Sequence, residues 1–198
     1  MYFDFSQLPA FLIACLVVVL TPGVDAFLLL RTSMRSGVRA GLRALAGIHT
    51  AAAVQVAVVV SGLGVVIARY PAVLVALRWL GAAYLLYLVV TIVRGLLRPA
   101  AQETTVPTRP FRAGFLTNIT NPKMLLFSLA FLPQFIGTGS PSWQLTMLAA
   151  VFLTLAALWE GLIVLAAGRL SNAPARFTRA LDVVCAAVFL TMSVGLVV

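Results

Sequence analysis

Charge is what this chain has least of: Asp, Glu, Lys and Arg together make up 10% of its 198 residues, where a soluble domain carries about a quarter. Hydrophobic residues fill the space instead, at 62%, and the mean hydropathy is +1.08. Both departures exclude a soluble globular enzyme and point to a membrane. Acidic residues are the rarer sign, five against fourteen basic, for a formal net charge of +9. A nucleic-acid partner is excluded all the same. The basic residues form no stripe on a soluble face and cluster in short gaps between apolar runs.

Histidine occurs once, as His49, and cysteine twice. Cys15 and Cys185 each lie inside an apolar run, without zinc spacing, and read as small hydrophobes. No HExxH or GxSxG motif is present, so intramembrane proteolysis has neither metal site nor nucleophile to use. No cofactor and no metal is expected. Low-complexity tracts are missing too. The opening MYFDFSQLPAFLIACLVVVL lacks a positive n-region and a small-residue cleavage site, so it reads as a retained span rather than a signal peptide.

What is present is a series of apolar runs at roughly 7–30, 41–68, 72–96, 113–135, 143–168 and 180–198. About 20 apolar residues cross the hydrocarbon as a helix, and backbone groups in lipid must bond internally. Alternation of period two, which a barrel needs, is absent. Arg31, Arg35, Arg39 and Arg43 mark the first gap, Arg94, Arg98, Arg109 and Arg112 the third, and Arg169, Arg176 and Arg179 the fifth. The second gap holds only Arg69, with Arg78 just beyond it, and the fourth holds none. The positive-inside rule then places the odd gaps in the cytoplasm and both termini outside. Arg78 beside Trp79 reads as an interfacial anchor. Gly37, Gly41 and Gly47, with Gly62 and Gly64, read as close-packing positions between helices.

Two spans are interrupted. Thr21-Pro22-Gly23-Val24-Asp25 divides the first, and Thr117-Asn118-Ile119-Thr120-Asn121-Pro122-Lys123 divides the fourth. Proline breaks a helix interior but suits the first position of a new helix, with Thr21 and Asn121 as N-caps. Pro22 and Pro122, like Phe27 and Phe127, stand 100 residues apart. The expected fold is all-α integral membrane: six transmembrane helices as two inverted three-helix repeats, with broken helices 1 and 4. A single transmembrane domain, 1–198, comprises a first repeat (1–96), a cytoplasmic connector (97–112) and a second repeat (113–198). Inverted repeats with paired broken helices place a substrate site at the repeat interface in many secondary transporters.

The charges read inside spans are Asp25, Lys123 and Glu160, with His49 as a titratable neighbour. Counted from the flanking arginines they share one layer, roughly 9–17 Å from the cytoplasmic boundary at 1.5 Å rise per residue. Charges there line a cavity or pair with each other. Lys123, the N–H groups after Pro122 and the Asn121 amide suit a substrate carboxylate, while Asp25 suits an ammonium or an exchanged proton. Plainer readings stand beside these. Asp25 offsets a helix dipole, Lys123 snorkels to water, and His49 and Glu160 form a structural pair.

LTPGVDAFLLLRTSMRSGVRAGLRALAGI, GAAYLLYLVVTIVR and FRAGFLTNITNPKMLLFSLAFLPQFI together resemble the lysine exporter / homoserine–threonine resistance (LysE/RhtB) family over nearly the whole chain. The resemblance implies a bacterial inner-membrane exporter of amino acids or related small metabolites, driven by the proton gradient and often a homodimer. Its partners would be a small-molecule substrate, protons and membrane lipids. The family's TPG-x-D pattern falls on Thr21, Pro22, Gly23 and Asp25, and its NPK pattern on Asn121, Pro122 and Lys123. Val24 departs from the pattern, standing where a second proline is common. His49 and Glu160 stand where apolar or small residues are expected. Two other classes remain open from the residues alone. One is a membrane thiol oxidoreductase using Cys15 and Cys185, and the other a channel or structural subunit.

Overall fold

The computed structural model describes residues 8–21, 23–61, 71–97, 109–121, 124, 127, 132–136, 141–170 and 174–195. Six α-helices are found there: α1 (Leu8–Leu20), α2 (Val24–Val60), α3 (Pro71–Leu96), α4 (Pro110–Ile119), α5 (Pro141–Arg169) and α6 (Ala175–Gly195), with a 3-10 turn at Leu132–Phe135. No strand occurs among the described residues. Three stretches, Val24–Val60, Ser142–Arg169 and Arg176–Gly195, are long and apolar enough to cross a membrane, and Leu8–Leu20 and Ala82–Leu96 are shorter apolar helices.

The first break lies where the prolines of the sequence place it. α1 stops at Leu20 and α2 starts at Val24. Its capping differs from expectation. The Thr21 hydroxyl donates back to the Val17 carbonyl, 2.6 Å away, and so serves the end of α1. The cap position of α2 is Gly23, in an extended conformation (φ −128°, ψ −173°). α4 ends at Ile119, with Thr120 as its C-cap and the Asn121 N–H on the Asn118 carbonyl. Pro22, Pro122 and Lys123 lie outside the described residues, as do Gly62 and Gly64.

The Arg-rich first gap is not a loop. Helix runs through it, from Val24 to Val60, with one non-helical residue, Gly37 at φ 78° and ψ 174°. Only glycine adopts that region without strain, which makes Gly37 a turning point between two helical halves rather than a packing contact. Nothing approaches its Cβ position within 4 Å. Gly47 does pack closely. A Cβ there would collide with the Phe111 carbonyl oxygen, and one on Gly114 with that of Ala44. α2 and α4 therefore cross backbone to backbone.

Three apolar clusters fix the helices. One joins Phe11 and Cys15 of α1 to Ala52 and Val56 of α2 and to Leu148 and Phe152 of α5, with Met124, Phe127 and Leu132. Another joins Val24 and Leu28 at the start of α2 to Leu85 and Ile92 of α3 and to Cys185 and Phe189 of α6. Leu29, Ala44 and Ile48 of α2 meet Val164 of α5 in the third. The two ends of α2 thus belong to different clusters, and the third, with Leu29 from the first half and Ala44 and Ile48 from the second, bridges the turn at Gly37. Cys15 and Cys185 are both free and fall in separate clusters, which removes the dithiol alternative.

Candidate substrate-binding site

The two breaks meet. Asp25 is the second residue of α2, at the end where backbone N–H groups are unpaired and the dipole favours an anion. Its Oδ2 accepts from the Asn118 amide at 3.1 Å and from the Asn121 amide at 3.0 Å. Both asparagines are buried, at 3% and 6% exposure, while Asp25 is half-buried. Asn118 stands in the last turn of α4 and Asn121 just past its end. The start of one broken helix is thereby tied to the end of the other. The Asn121 amide, which the sequence offers to a substrate carboxylate, is turned to Asp25 here.

Gln55, from the second half of α2, completes the arrangement. Its Nε2 donates to the Asn118 and Ile119 carbonyls, each at 3.0 Å. A helix end leaves its last carbonyls without intrahelical partners, so this amide stabilises α4 where it stops.

A cavity of about 640 Å³, counted to its open mouth, adjoins these residues. Thr21, Gly23, Asp25, Asn118 and Asn121 line it, together with His49 and Glu160. The last two come from different helices, with His49 Nε2 2.9 Å from Glu160 Oε2. Ile48, Ala52, Phe127, Phe152 and Trp159 supply apolar wall. Phe127 and Phe152 stack there, with ring centroids 3.9 Å apart. The mixture, mainly apolar with a few convergent polar groups, is that of a small-molecule site. Among the described lining residues neither Lys nor Arg occurs, so the charged groups on the wall are Asp25 and Glu160, with His49 beside the latter.

Of the residues the sequence singles out, Thr21, Gly23, Asp25, Asn121, His49 and Glu160 all reach this one cavity. Three further polar residues were given no role by sequence. Asn118 lies within the interrupted motif, Gln55 is a lone amide in the run AAAVQVAVVV, and Asp182 is an acid inside the sixth apolar run. Asp182 is buried and binds Arg31 and Arg35, so those two arginines are not solvated gap residues. An uncompensated polar group in an apolar run was the signal available for the last two.

The sequence profile of a family described as LysE type translocator matches residues 16–198. An uncharacterized membrane protein of Pseudomonas aeruginosa is 32% identical over 171 residues, covering 81% of this chain and 79% of its own. A leucine efflux protein of Salmonella typhimurium is 33% identical over 135 residues, 66% of this chain and 64% of that protein. A homoserine/homoserine lactone efflux protein of the same organism is 33% identical over 136 residues, 67% and 66% of the two chains. No solved structure matches.

Proposed function

Because the chain belongs to the LysE-type translocator family and is a membrane transport protein rather than an enzyme, we propose that it exports an amino acid or a related small metabolite from the cytoplasm. The observation that carries this reading is the cavity where the two helix breaks meet, with Asp25 held by Asn118 and Asn121. Asp25 receives the substrate ammonium. Lys123 and the N–H groups following Pro122 receive the carboxylate. The Thr21-Pro22-Gly23 segment keeps the start of α2 open to the ligand.

Export proceeds by proton antiport with alternating access, in which residues 1–96 and 113–198 act as two inverted three-helix units joined by 97–112. The relatives named for leucine and for homoserine or its lactone support a substrate of this size and kind. The protein sits in the bacterial inner membrane with both termini outside, as the arginine distribution favours.

Counterflow in proteoliposomes across a panel of radiolabelled amino acids, with and without an imposed pH gradient, tests the reading. Accumulation of one class, stimulated by the gradient, is the expected result. Equilibration without accumulation would instead describe a channel, because a channel cannot move solute uphill. Silence across the panel with folded protein would exclude amino acids as substrates.

A further inference from the structure

His49 and Glu160 share the cavity with Asp25 and keep 21% and 16% of their side-chain surface exposed. Helix packing does not require them. α2 and α5 are already joined by the cluster of Leu29, Ala44, Ile48 and Val164, and a Cβ on Gly41 would lie 2.8 Å from Val164 Cγ1. Replacing a paired charge in an apolar setting by hydrophobic residues is often neutral or stabilising, so joining two helices is a poor account of this pair. An ionised carboxylate has about four acceptor positions and no donor. His49 fills one, and it is the only hydrogen-bond partner of Glu160 among the described residues. The remaining capacity adjoins the cavity, in a wall that is otherwise apolar around Ile48, Phe152 and Trp159.

We infer that the His49–Glu160 pair is a second polar subsite, which favours substrates whose far end carries an N–H or O–H donor over aliphatic ones of the same shape. This rests on the export reading above, with Asp25 holding the near end. An aliphatic tail entering the cavity strips water from Glu160 and returns nothing, whereas a tail ending in ammonium or hydroxyl replaces the lost hydrogen bond. A site built to bond such a group discriminates far more strongly than one that merely accommodates a methylene.

Isosteric amino acids separate the alternatives: homoserine against norvaline, and ornithine against norleucine, each in proteoliposome counterflow. The wild type is expected to favour the donor-bearing member of at least one pair by about tenfold or more. The His49→Leu/Glu160→Leu double variant, which strands neither charge, is expected to lose that preference. The same preference in both proteins, with uptake intact, overturns the inference and leaves export standing. Wild-type protein that takes up no amino acid overturns both. Should the double variant fail to fold, Glu160→Gln keeps the size and a hydrogen bond to His49. It is expected to lose preference for ornithine more than for homoserine, because the amide oxygen still accepts from a hydroxyl but no longer offers a charge to an ammonium. Unchanged preference for both in Glu160→Gln also overturns the inference.

Discussion

Arg31 and Asp182 meet with Nε 2.7 Å from Oδ1, in a contact that leaves each side chain 4% exposed. Arg35, one helical turn on, reaches the other carboxylate oxygen. The first half of α2 is thus fastened to α6 by charge, beside the apolar cluster that joins Val24 and Leu28 to Cys185 and Phe189. That half-helix begins at the cavity lined by Asp25, so the clamp also fixes where Asp25 stands.

Removing the carboxylate takes the shared partner from a buried guanidinium, Arg31, and a part-buried one, Arg35. Asp182→Asn is expected to destabilise the protein by about 3–5 kcal/mol, the range for breaking a buried ion pair from one side. Thermal unfolding of the purified protein in detergent reads this as a lower midpoint. Neutralising all three positions together, as Arg31→Met/Arg35→Met/Asp182→Leu, is expected to recover most of the loss, because no guanidinium is left beside the missing carboxylate. A midpoint for Asp182→Asn equal to the wild type would show that the clamp contributes little.

Asp25 is coupled differently: two asparagine amides donate to its carboxylate. An asparagine at that position still accepts from Asn118 or Asn121, so Asp25→Asn is expected to fold and reach wild-type levels. Transport should not survive. Losing the charged partner of a substrate ammonium costs about 2–5 kcal/mol, or roughly thirty- to several-thousandfold in binding. Wild-type export rates in this variant would remove Asp25 from the substrate site.

Much of this was legible in the sequence because membranes make their rules explicit. Apolar length gives the helices, and proline gives the first break to within a few residues. The shared depth of Asp25, His49 and Glu160 anticipates one cavity, since buried charge has few places to go. What was not legible depends on three-dimensional pairing. Arg31 and Arg35 look like solvated gap residues until Asp182, about 150 positions away, is brought against them. Gly37 looks like a packing glycine, and only its positive φ identifies it as a turn. Gln55 shows only as a lone amide in an apolar run, and nothing local names its partners, which are backbone carbonyls of another helix.

Gln55 supplies the next test. Gln55→Leu removes the amide that serves both carbonyls, leaving Ile119 without its side-chain donor and Asn118 with the Asn121 N–H. An unsatisfied buried acceptor costs about 1–3 kcal/mol. The effect is expected to be local: faster amide hydrogen exchange over the end of α4, near 116–121, with α6 unchanged. Gln55→Glu offers no donor when ionised and is expected to resemble the leucine variant. Uniform exchange across the chain in both would place the role of Gln55 elsewhere.

The crossing of α2 and α4 gives the sharpest contrast. A methyl on Gly114 meets the Ala44 carbonyl oxygen, which is backbone and cannot swing aside. The two helices must part, at a cost of about 1–3 kcal/mol for overpacking. Asn118 lies one turn beyond Gly114, so the same displacement moves the amide that holds Asp25. Gly114→Ala is therefore expected to lower both the melting midpoint and the export rate. Gly161 is also helical but has nothing within 4 Å of its Cβ position. There alanine is expected to stabilise by roughly 0.5–1 kcal/mol through backbone entropy alone, with export unaffected. Two variants that differ only in which glycine gains a methyl thus separate propensity from contact. Identical behaviour would mean that the close approach of α2 and α4 is not what positions the substrate site.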